Sequence, residues 1–344
     1  MKRLGLYTVD RRKKNKIYLE TLKGVCNLSI RRGLNNLFFP GGTRSRSGAL
    51  ETKLKMGLIG TAVQAQCALY EKGKENKIFV VPLILGYHTV LEAEFLIKQH
   101  LKKTGKELYH DIQDQTYSRW NVFKFVWKLF SQSSDIVLSF GKPMDVLGNF
   151  VDANGTSYDR HKKPVEVKEY FMSDGRIRTD LQRERQYTTM LANRIVERFH
   201  KENIVLSSHI MAFVVFTILV KQNPSLDLYG VLRLPSEDYI FKYKHVKTAV
   251  LRFREELVKM EENGQIKLSD EVRVDVDELI KGGISKLGIF HPQKPLKINK
   301  AGDIESESFP TLYYYHNRLS TYDLKAFVKW THSVAMLNFA DLPE

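Results

Sequence analysis

The sequence predicts an α/β fold, with a largely parallel sheet and flanking helices in the first part of the chain and a mostly helical region after it. Two observations predict this. Over the first 140 residues, strand-like apolar stretches alternate with stretches whose apolar residues recur at helical spacing, and this alternation is typical of helices packed on a parallel sheet. From about residue 175 onward, long helical patterns dominate. We therefore predict an α/β domain over residues 1–145 and a helical C-terminal region over residues 146–344 packed on it.

The elements of the first domain follow from local patterns. A short strand is predicted at residues 37–39, where the chain runs into adjacent glycines. Residues 53–71 and 91–103 have the apolar spacing of helices. Residues 78–85 form a continuous apolar run, which is typical of a strand buried on both faces. A further strand is predicted at residues 135–140.

The second region is predicted from longer helical patterns. The most apolar of them, within residues 204–220, is interrupted by polar residues and is too short for a confident membrane span, which needs about 20 apolar residues. We interpret it as a buried helix capped by Ser207 or Ser208. Helices are predicted at residues 179–202, 208–221, 236–263, 269–281 and 322–339.

The charge of the chain is concentrated near its N-terminus. The formal net charge is +15, and residues 1–55 carry fourteen Lys and Arg against three acids. Such an excess favours a polyanionic partner, namely an anionic membrane, a phosphorylated substrate or a nucleic acid. No nucleic-acid-binding motif is recognisable, so we predict no nucleic-acid partner. The two cysteines, Cys26 and Cys67, provide neither a disulfide framework nor a zinc site.

The strongest local signal is the sequence Phe-Pro-Gly-Gly-Thr-Arg-Ser-Arg-Ser-Gly at residues 39–48. Adjacent glycines permit a positive φ and a close approach of backbone N–H groups to a ligand. The two arginines present planar forks that match a phosphate group, and the hydroxyl groups add donors. We therefore predict a phosphate site, with a basic surface turn as the alternative. Its residues are Gly41, Gly42, Thr43, Arg44, Ser45, Arg46 and Ser47.

Three other segments have patterns that could be functional. Residues 5–11 read as a short strand that ends in an acid and Arg11. Residues 80–88 are an apolar run with Pro82 inside it, and a proline within a strand indicates an edge or a bulge. Residues 119–130 mix bulky aromatic and basic side chains, which fits either a membrane interface or an aromatic core helix.

Taken in their order along the chain, residues 5–11, 39–48 and 80–88 resemble the conserved blocks of the membrane-associated glycerolipid acyltransferases. The resemblance is best to the bacterial glycerol-3-phosphate acyltransferases. Residues 5–11 resemble the second block, Gly-x-x-x-x-x-Arg. Residues 39–48 resemble the third block, Phe-x-Glu-Gly-x-Arg-Ser with its extension, and residues 80–87 resemble the fourth, an apolar strand with a central proline. Residues 139–143 and 311–317 also resemble later elements of these enzymes.

The resemblance implies transfer of an acyl group from acyl-CoA or acyl carrier protein to the sn-1 hydroxyl of glycerol-3-phosphate, without a further cofactor. It implies that Arg11, Arg44 and Arg46 clamp the phosphate and that Pro82 lies in the substrate-binding region. It also implies a peripheral enzyme of phospholipid biosynthesis on the cytoplasmic face of the inner membrane. Lysophosphatidic acid is the alternative acceptor.

Two departures from the family pattern stand out. The first block, His-x-x-x-x-Asp, supplies the general base of the family, and none of the ten histidines in the sequence has Asp five residues later. The catalytic residues are therefore unassigned, and a non-catalytic phospholipid-binding protein is a second interpretation. Gly41 occupies the position of the family's block-three Glu. We interpret His316, beside three tyrosines, as a packing residue.

Overall fold

The computed structural model describes residues 9–10, 13, 15–104, 136–178 and 180–329. Arg11, residues 119–130 and the end of the predicted helix at 322–339 lie outside these ranges. The α-helices are α1 (Lys16–Arg31), α2 (Met56–Glu71), α3 (Ala93–Lys103), α4 (Leu181–Lys201), α5 (Ser207–Gln222), α6 (Leu228–Leu232), α7 (Tyr243–Glu262), α8 (Val276–Leu287) and α9 (Phe309–His316).

The strands are short. They are β1 (Leu83–Tyr87), β2 (Ile136–Phe140), β3 (Phe150–Val151), β4 (Ser157–Tyr158), β5 (Pro164–Val165), β6 (Met172–Ser173), β7 (Arg176–Ile177), β8 (Ile204–Val205), β9 (Ile240–Phe241), β10 (Lys267–Leu268), β11 (Lys297–Ile298) and β12 (Ile304–Glu305). Short 3-10 helices occur at Val167–Phe171, Ser236–Asp238, Asp270–Val272, Asn317–Tyr322 and Leu324–Phe327.

The contacts divide the chain into two compact units. The first contains Met1–Thr43, Thr52–Pro82 and Gly141–Arg198, and the second contains Arg44–Glu51, Leu83–Phe140 and Phe199–Glu344. The two units interleave along the sequence. The division after residue 145 that the sequence predicts stays a prediction.

The first unit is built on the helix pair α1 and α2. The side chain of Asn15 starts α1 by accepting a hydrogen bond from the backbone N–H of Ile17 at 2.8 Å. Cys26 is the buried residue of α1, and its sulfur accepts a hydrogen bond from the Thr61 hydroxyl of α2 at 3.2 Å. β3, β4 and β5 form an antiparallel sheet and β6 pairs with β7.

The core of the second unit is centred on α5. Every residue from Ser207 to Leu219 is buried, and α7, α8 and α9 pack against this helix. The prediction of a buried helix at residues 208–221 is therefore confirmed, although the N-cap position is Leu206 and the helix begins at Ser207. In the described ranges, no helix is both long and apolar enough to cross a membrane.

Sheet pairing in the second unit is mostly antiparallel. β1 pairs with β2 in an antiparallel ladder from Leu83↔Phe140 to Tyr87↔Ile136. β9, β12 and β11 form a three-stranded antiparallel sheet. Among the described strands, β8 and β10 are the parallel pair. The largely parallel sheet inferred from the sequence thus stays a prediction.

Several predicted elements differ from the structure. The apolar run at residues 78–85 becomes β1 only from Leu83, and burial alternates along it, with Ile84 buried and Tyr87 exposed. Burial on both faces is therefore wrong, because side chains of an antiparallel strand alternate between two faces and only one face is covered. Residues 37–39 belong to no described strand.

Helix starts account for the other differences. The helix predicted at residues 236–263 begins only at Tyr243, because β9 pairs with β12 and interrupts the pattern. The helix predicted at residues 269–281 begins at Val276, where Asp275 caps it through the N–H of Asp277. The segment from residue 322 contains Asp323 with a φ of 54°, a left-handed conformation that ends the 3-10 helix before it.

Candidate functional site

The arginine loop, which we define as residues 44–48, is fixed by its own serines. The Ser45 hydroxyl donates to the carbonyl of Ala49 at 2.9 Å, and the Ser47 hydroxyl oxygen accepts from the backbone N–H of Ala49 at 3.3 Å. The proton of Ser45 is thus used within the loop, whereas the proton of Ser47 can still be donated to a ligand.

The end of α9 supports this loop. The side-chain amide of Asn317 donates to the Ser47 carbonyl at 2.9 Å. Gly48 has a φ of 83°, and a Cβ at this position would overlap the carbonyl oxygen of Tyr314. Only glycine meets both requirements. Two segments that resemble family elements, the arginine loop and residues 311–317, therefore contact each other.

The two arginines of the loop differ in their partners. Arg44 forms an ion pair with Glu92, the residue directly before α3, and both side chains are exposed. Arg46 is also exposed, and no carboxylate within the described part of the chain pairs with it. Both guanidinium groups can therefore reach an anion from solvent, and at Arg44 that anion would compete with Glu92.

A pocket with a volume of about 420 Å³ adjoins the loop. Ser47 and Ala49 belong to its lining. The other lining residues are of mixed polarity: Phe216, Val220, Leu226, Leu228, Val231 and Tyr313, with His100, His316, Asn317, Ser320 and Lys325. An amphiphilic ligand fits such a lining better than a purely polar one.

His316 is a polar residue of this pocket to which the sequence analysis gave only a packing role. Its Nδ1 lies 3.1 Å from the Asn317 Oδ1. Because Asn317 donates its amide N–H to Ser47, that oxygen is free to accept, so Nδ1 carries the proton and Nε2 keeps a lone pair. Nε2 is buried and, in the described part of the chain, has no hydrogen-bond partner.

Burial also sets the charge of His316. Desolvation lowers its pKa to about 4, so the ring is neutral near pH 7. The ring stacks on Phe213 with centroids 4.7 Å apart. The packing role inferred from the sequence is correct, and an available acceptor atom is added to it. In the sequence, the one hint was an Asn directly after the histidine.

A second polar cluster lies behind β1. His88 Nδ1 is 3.0 Å from the Ser208 hydroxyl, and His88 Nε2 is 3.5 Å from Glu271. Glu271 also accepts from Lys286 Nζ at 2.7 Å. The order serine, histidine, carboxylate is that of a nucleophilic triad, but Ser208 is fully buried and does not line the pocket beside the arginine loop. We interpret the cluster as a set of polar contacts that holds the residues after β1 in place.

The remaining predicted site residues belong to the first unit. Gly42 has a φ of 74°, and its N–H donates to the Phe39 carbonyl at 3.0 Å, so this N–H is already used. Of the two glycines, Gly42 adopts the positive φ that the sequence permits at both, and Gly41 does not. Thr43 is exposed. Pro82 is buried directly before β1, and its carbonyl accepts from Gly141 N–H at 2.8 Å.

No protein-family model matches the chain. Among curated proteins, the chain is similar to acyltransferases. It is 30% identical over 139 residues to the glycerol-3-phosphate acyltransferase of Pseudoalteromonas atlantica, which covers 40% of the chain and 15% of that protein. It is 27% identical over 140 residues to the enzyme of the same name from Alteromonas mediterranea, a match that covers 41% of the chain and 15% of that protein. It is 28% identical over 158 residues to the one from Aeromonas hydrophila, a match that covers 46% of the chain and 18% of that protein.

These relatives confirm the resemblance to the glycerol-3-phosphate acyltransferase family for the part of the chain that they match. The chain spans between 15% and 18% of the length of these relatives. The names of these relatives describe the activity of much longer proteins. An activity of this chain is therefore a proposal.

Proposed function

We propose that this chain takes part in acyl transfer from acyl-CoA or acyl carrier protein to the sn-1 hydroxyl of glycerol-3-phosphate. The observation that carries the proposal is the arginine loop, with two exposed guanidinium groups next to a pocket of mixed polarity. The names of the three relatives support the same substrate.

In this proposal the loop binds the phosphate and the pocket holds the less polar part of a substrate. Arg44 exchanges its ion pair with Glu92 for the phosphate, and Arg46 and the Ser47 hydroxyl add further donors. Holding the acceptor by its phosphate restricts the position of the reacting hydroxyl, which is how binding geometry accelerates a transfer reaction. Residues 44–48 and 317 would thus act by positioning, and the proposal names no general base.

The experiment is a binding measurement on the full chain. Isothermal titration with glycerol-3-phosphate, and separately with glycerol, gives the contribution of the phosphate. We expect Arg44→Ala and Arg46→Ala each to weaken glycerol-3-phosphate binding about tenfold or more, as the loss of a charge-assisted hydrogen bond predicts. Arg176→Ala, at an exposed arginine of β7, is the matched control and should bind normally.

Two outcomes decide between the alternatives. Equal affinity for glycerol and glycerol-3-phosphate would exclude phosphate recognition by the loop. Displacement of glycerol-3-phosphate by a lower concentration of lysophosphatidic acid would favour that acceptor instead. A radiolabelled acyl-CoA assay with both acceptors then tests transfer itself, and binding without transfer favours the non-catalytic interpretation.

We also propose that the chain works as a peripheral protein at an anionic membrane, on the cytoplasmic face of the inner membrane. The concentration of positive charge in residues 1–55 supports this. Acyl transfer to a glycerolipid precursor yields a product with an aliphatic chain, which partitions into a bilayer.

A further inference from the structure

Arg318 holds its guanidinium group in a partly buried position between neutral acceptors. Its Nε donates to the side-chain oxygen of Asn203 at 2.9 Å, and its Nη2 donates to the Leu85 carbonyl at 2.9 Å. These two bonds fix the orientation of the group but leave most of its five N–H donors unused. In the described part of the chain, Nη1 has no hydrogen-bond partner. Arg318 keeps part of its surface exposed, so a ligand can approach it.

Within the described ranges, no carboxylate compensates the charge of Arg318. Glu202, which directly precedes Asn203, is paired with Lys267 at 2.5 Å instead. The uncompensated charge acts on a neighbouring ring: burial lowers the pKa of His209 well below its usual range, and Arg318 lowers it further. A partly desolvated charge without a counter-ion is unfavourable. Arg318 is therefore suited to bind an anion.

The Tyr314 hydroxyl lies near the same guanidinium group. Tyr314 and Arg318 are four residues apart where α9 passes into the following 3-10 helix, a spacing that places two side chains on one side of a helix. Tyr314 is 6% exposed, and its hydroxyl has no hydrogen-bond partner among the described residues. Burial raises its pKa to about 12, although the charges of Arg318 and Arg44 lower it. The hydroxyl therefore stays protonated at neutral pH and can donate a hydrogen bond.

The arginine loop packs against this tyrosine. A Cβ added at Gly48 would lie 3.2 Å from the Cγ atom of the Tyr314 ring. The Asn317 amide, in the same turn as Tyr314, donates to the Ser47 carbonyl at 2.9 Å. Tyr314 is thus in contact with the loop, and its hydroxyl is within the electrostatic range of both Arg44 and Arg318.

From this arrangement we infer that Arg318 and the Tyr314 hydroxyl form a phosphate-binding pair beside the arginine loop. A guanidinium group offers parallel donors that match two phosphate oxygens, and the hydroxyl adds a donor for a third. A phosphate monoester carries a charge of about −1.5 to −2 at neutral pH, which supplies the missing counter-ion. The inference rests on the proposed function for the identity of the phosphate compound, whereas the two residues are chosen from the structure alone.

Titration calorimetry of the full chain with inorganic phosphate, at an ionic strength held constant with NaCl, tests the pair. Tyr314→Phe should weaken phosphate binding about fivefold or more, because one hydrogen bond to a charged group is lost. Arg318→Gln should weaken it about tenfold or more, because the charge and its paired donors are lost. Urea unfolding without phosphate separates binding from folding. Tyr314→Phe should unfold like the original chain, so it remains informative if Arg318→Gln is less stable.

Two matched controls are available. Tyr70 is also buried, and its hydroxyl also lacks a hydrogen-bond partner in the described part of the chain, but it belongs to α2, in the other unit. Arg252 is an exposed arginine of α7. Tyr70→Phe and Arg252→Gln remove the same chemical groups elsewhere, and both should bind phosphate like the original chain.

Both substrates of the proposed transfer carry phosphate, and two further titrations assign the pair to one of them. A loss of affinity in Tyr314→Phe and Arg318→Gln that is confined to glycerol-3-phosphate assigns the pair to the acceptor. A loss that is confined to coenzyme A assigns it to the donor. Either result supports a phosphate-binding pair.

Normal phosphate affinity in either Tyr314→Phe or Arg318→Gln would overturn the inference, and so would an equal loss in Tyr70→Phe and Arg252→Gln. If Arg44→Ala alone loses phosphate, the pair is overturned and the arginine loop keeps its role. If the pair variants lose phosphate and Arg44→Ala does not, the pair stands and the role of the loop in the proposed function is overturned. Binding of inorganic phosphate needs no acyl transfer, so a negative transfer assay leaves the pair standing.

Discussion

Arg44 and Glu92 form an ion pair at the edge of the arginine loop. Both side chains are exposed, so the pair contributes little to stability. Its importance is chemical: the carboxylate occupies the guanidinium group that we assign to a phosphate. Under the proposed function, Glu92 would therefore compete with the phosphate for Arg44.

Glu92→Gln should raise the affinity for inorganic phosphate about two- to fivefold, because the competing carboxylate is gone. The free energy of unfolding should change by less than about 1 kcal/mol. Titration calorimetry with phosphate measures the first quantity. Glu94→Gln, which removes an ion pair with Lys98, is the control, and an equal gain there would show that only the net charge matters.

Gly48→Ala should lower the free energy of unfolding by about 2–4 kcal/mol, because the new Cβ meets the Tyr314 carbonyl and the backbone has a positive φ. Gly33→Ala isolates the backbone contribution, since Gly33 has a φ of 78° with open space around it. We expect about 1 kcal/mol there. Urea unfolding of both variants gives the difference, and equal losses would contradict the close approach of the loop to α9.

Asn317→Ala should cost about 1–3 kcal/mol of unfolding free energy, because both the Ser47 carbonyl and the His316 Nδ1 lose a partner. The same variant should weaken phosphate binding if the loop must be held in shape. Asn35→Ala, at an exposed asparagine, serves as the comparison. A loss of stability with unchanged phosphate affinity would mean that Asn317 supports the fold but not the site.

The stability of the chain should fall as the pH drops from about 6.5 to about 4. Burial lowers the pKa of His316 to about 4. Between pH 6.5 and 4, His316 is therefore protonated in the unfolded chain but not in the folded chain. This contribution is fully present above the ordinary pKa of histidine, and one such group changes the unfolding free energy by about 1.4 kcal/mol per pH unit.

Other groups share that pH range. Burial also lowers the pKa of His291 to about 4 and that of His209 well below its usual range. His316→Gln should therefore reduce the slope of the unfolding free energy against pH by the contribution of one proton, while the other histidines keep the slope above zero. Urea unfolding at several pH values measures the slope, with exposed His161→Gln as the comparison. An unchanged slope in His316→Gln would show that this ring is not kept neutral.

The sequence predicts the helices of this chain better than its strands. The apolar spacing at residues 53–71 corresponds to α2, and the run within residues 204–220 corresponds to α5. The run at residues 78–85 was misinterpreted because apolar composition alone does not reveal whether one or both faces of a strand are covered. Similarly, the pairing of β9 with β12 is a long-range event, so local spacing could not place the start of α7.

The candidate site was only partly accessible from the sequence. Arg44 and Arg46 stand out because of their spacing with serines, and Gly48 because it closes that motif. The roles of Glu92 and Asn317 depend on contacts between distant parts of the chain. His316 is informative through its burial and through the hydrogen bond that fixes its tautomer. The sequence supplies the partner, Asn317, as the next residue, but it gives neither the burial nor the geometry of that bond.

The hydrogen bond from Asn317 to Ser47 joins residues 270 positions apart. During synthesis, the arginine loop would leave the ribosome long before its support exists, and closing so long a segment carries a large entropic cost. The loop should therefore become ordered late in folding, after α9 has docked on α5. In a nascent chain, the arginine loop would thus lack this hydrogen bond until Asn317 has been made.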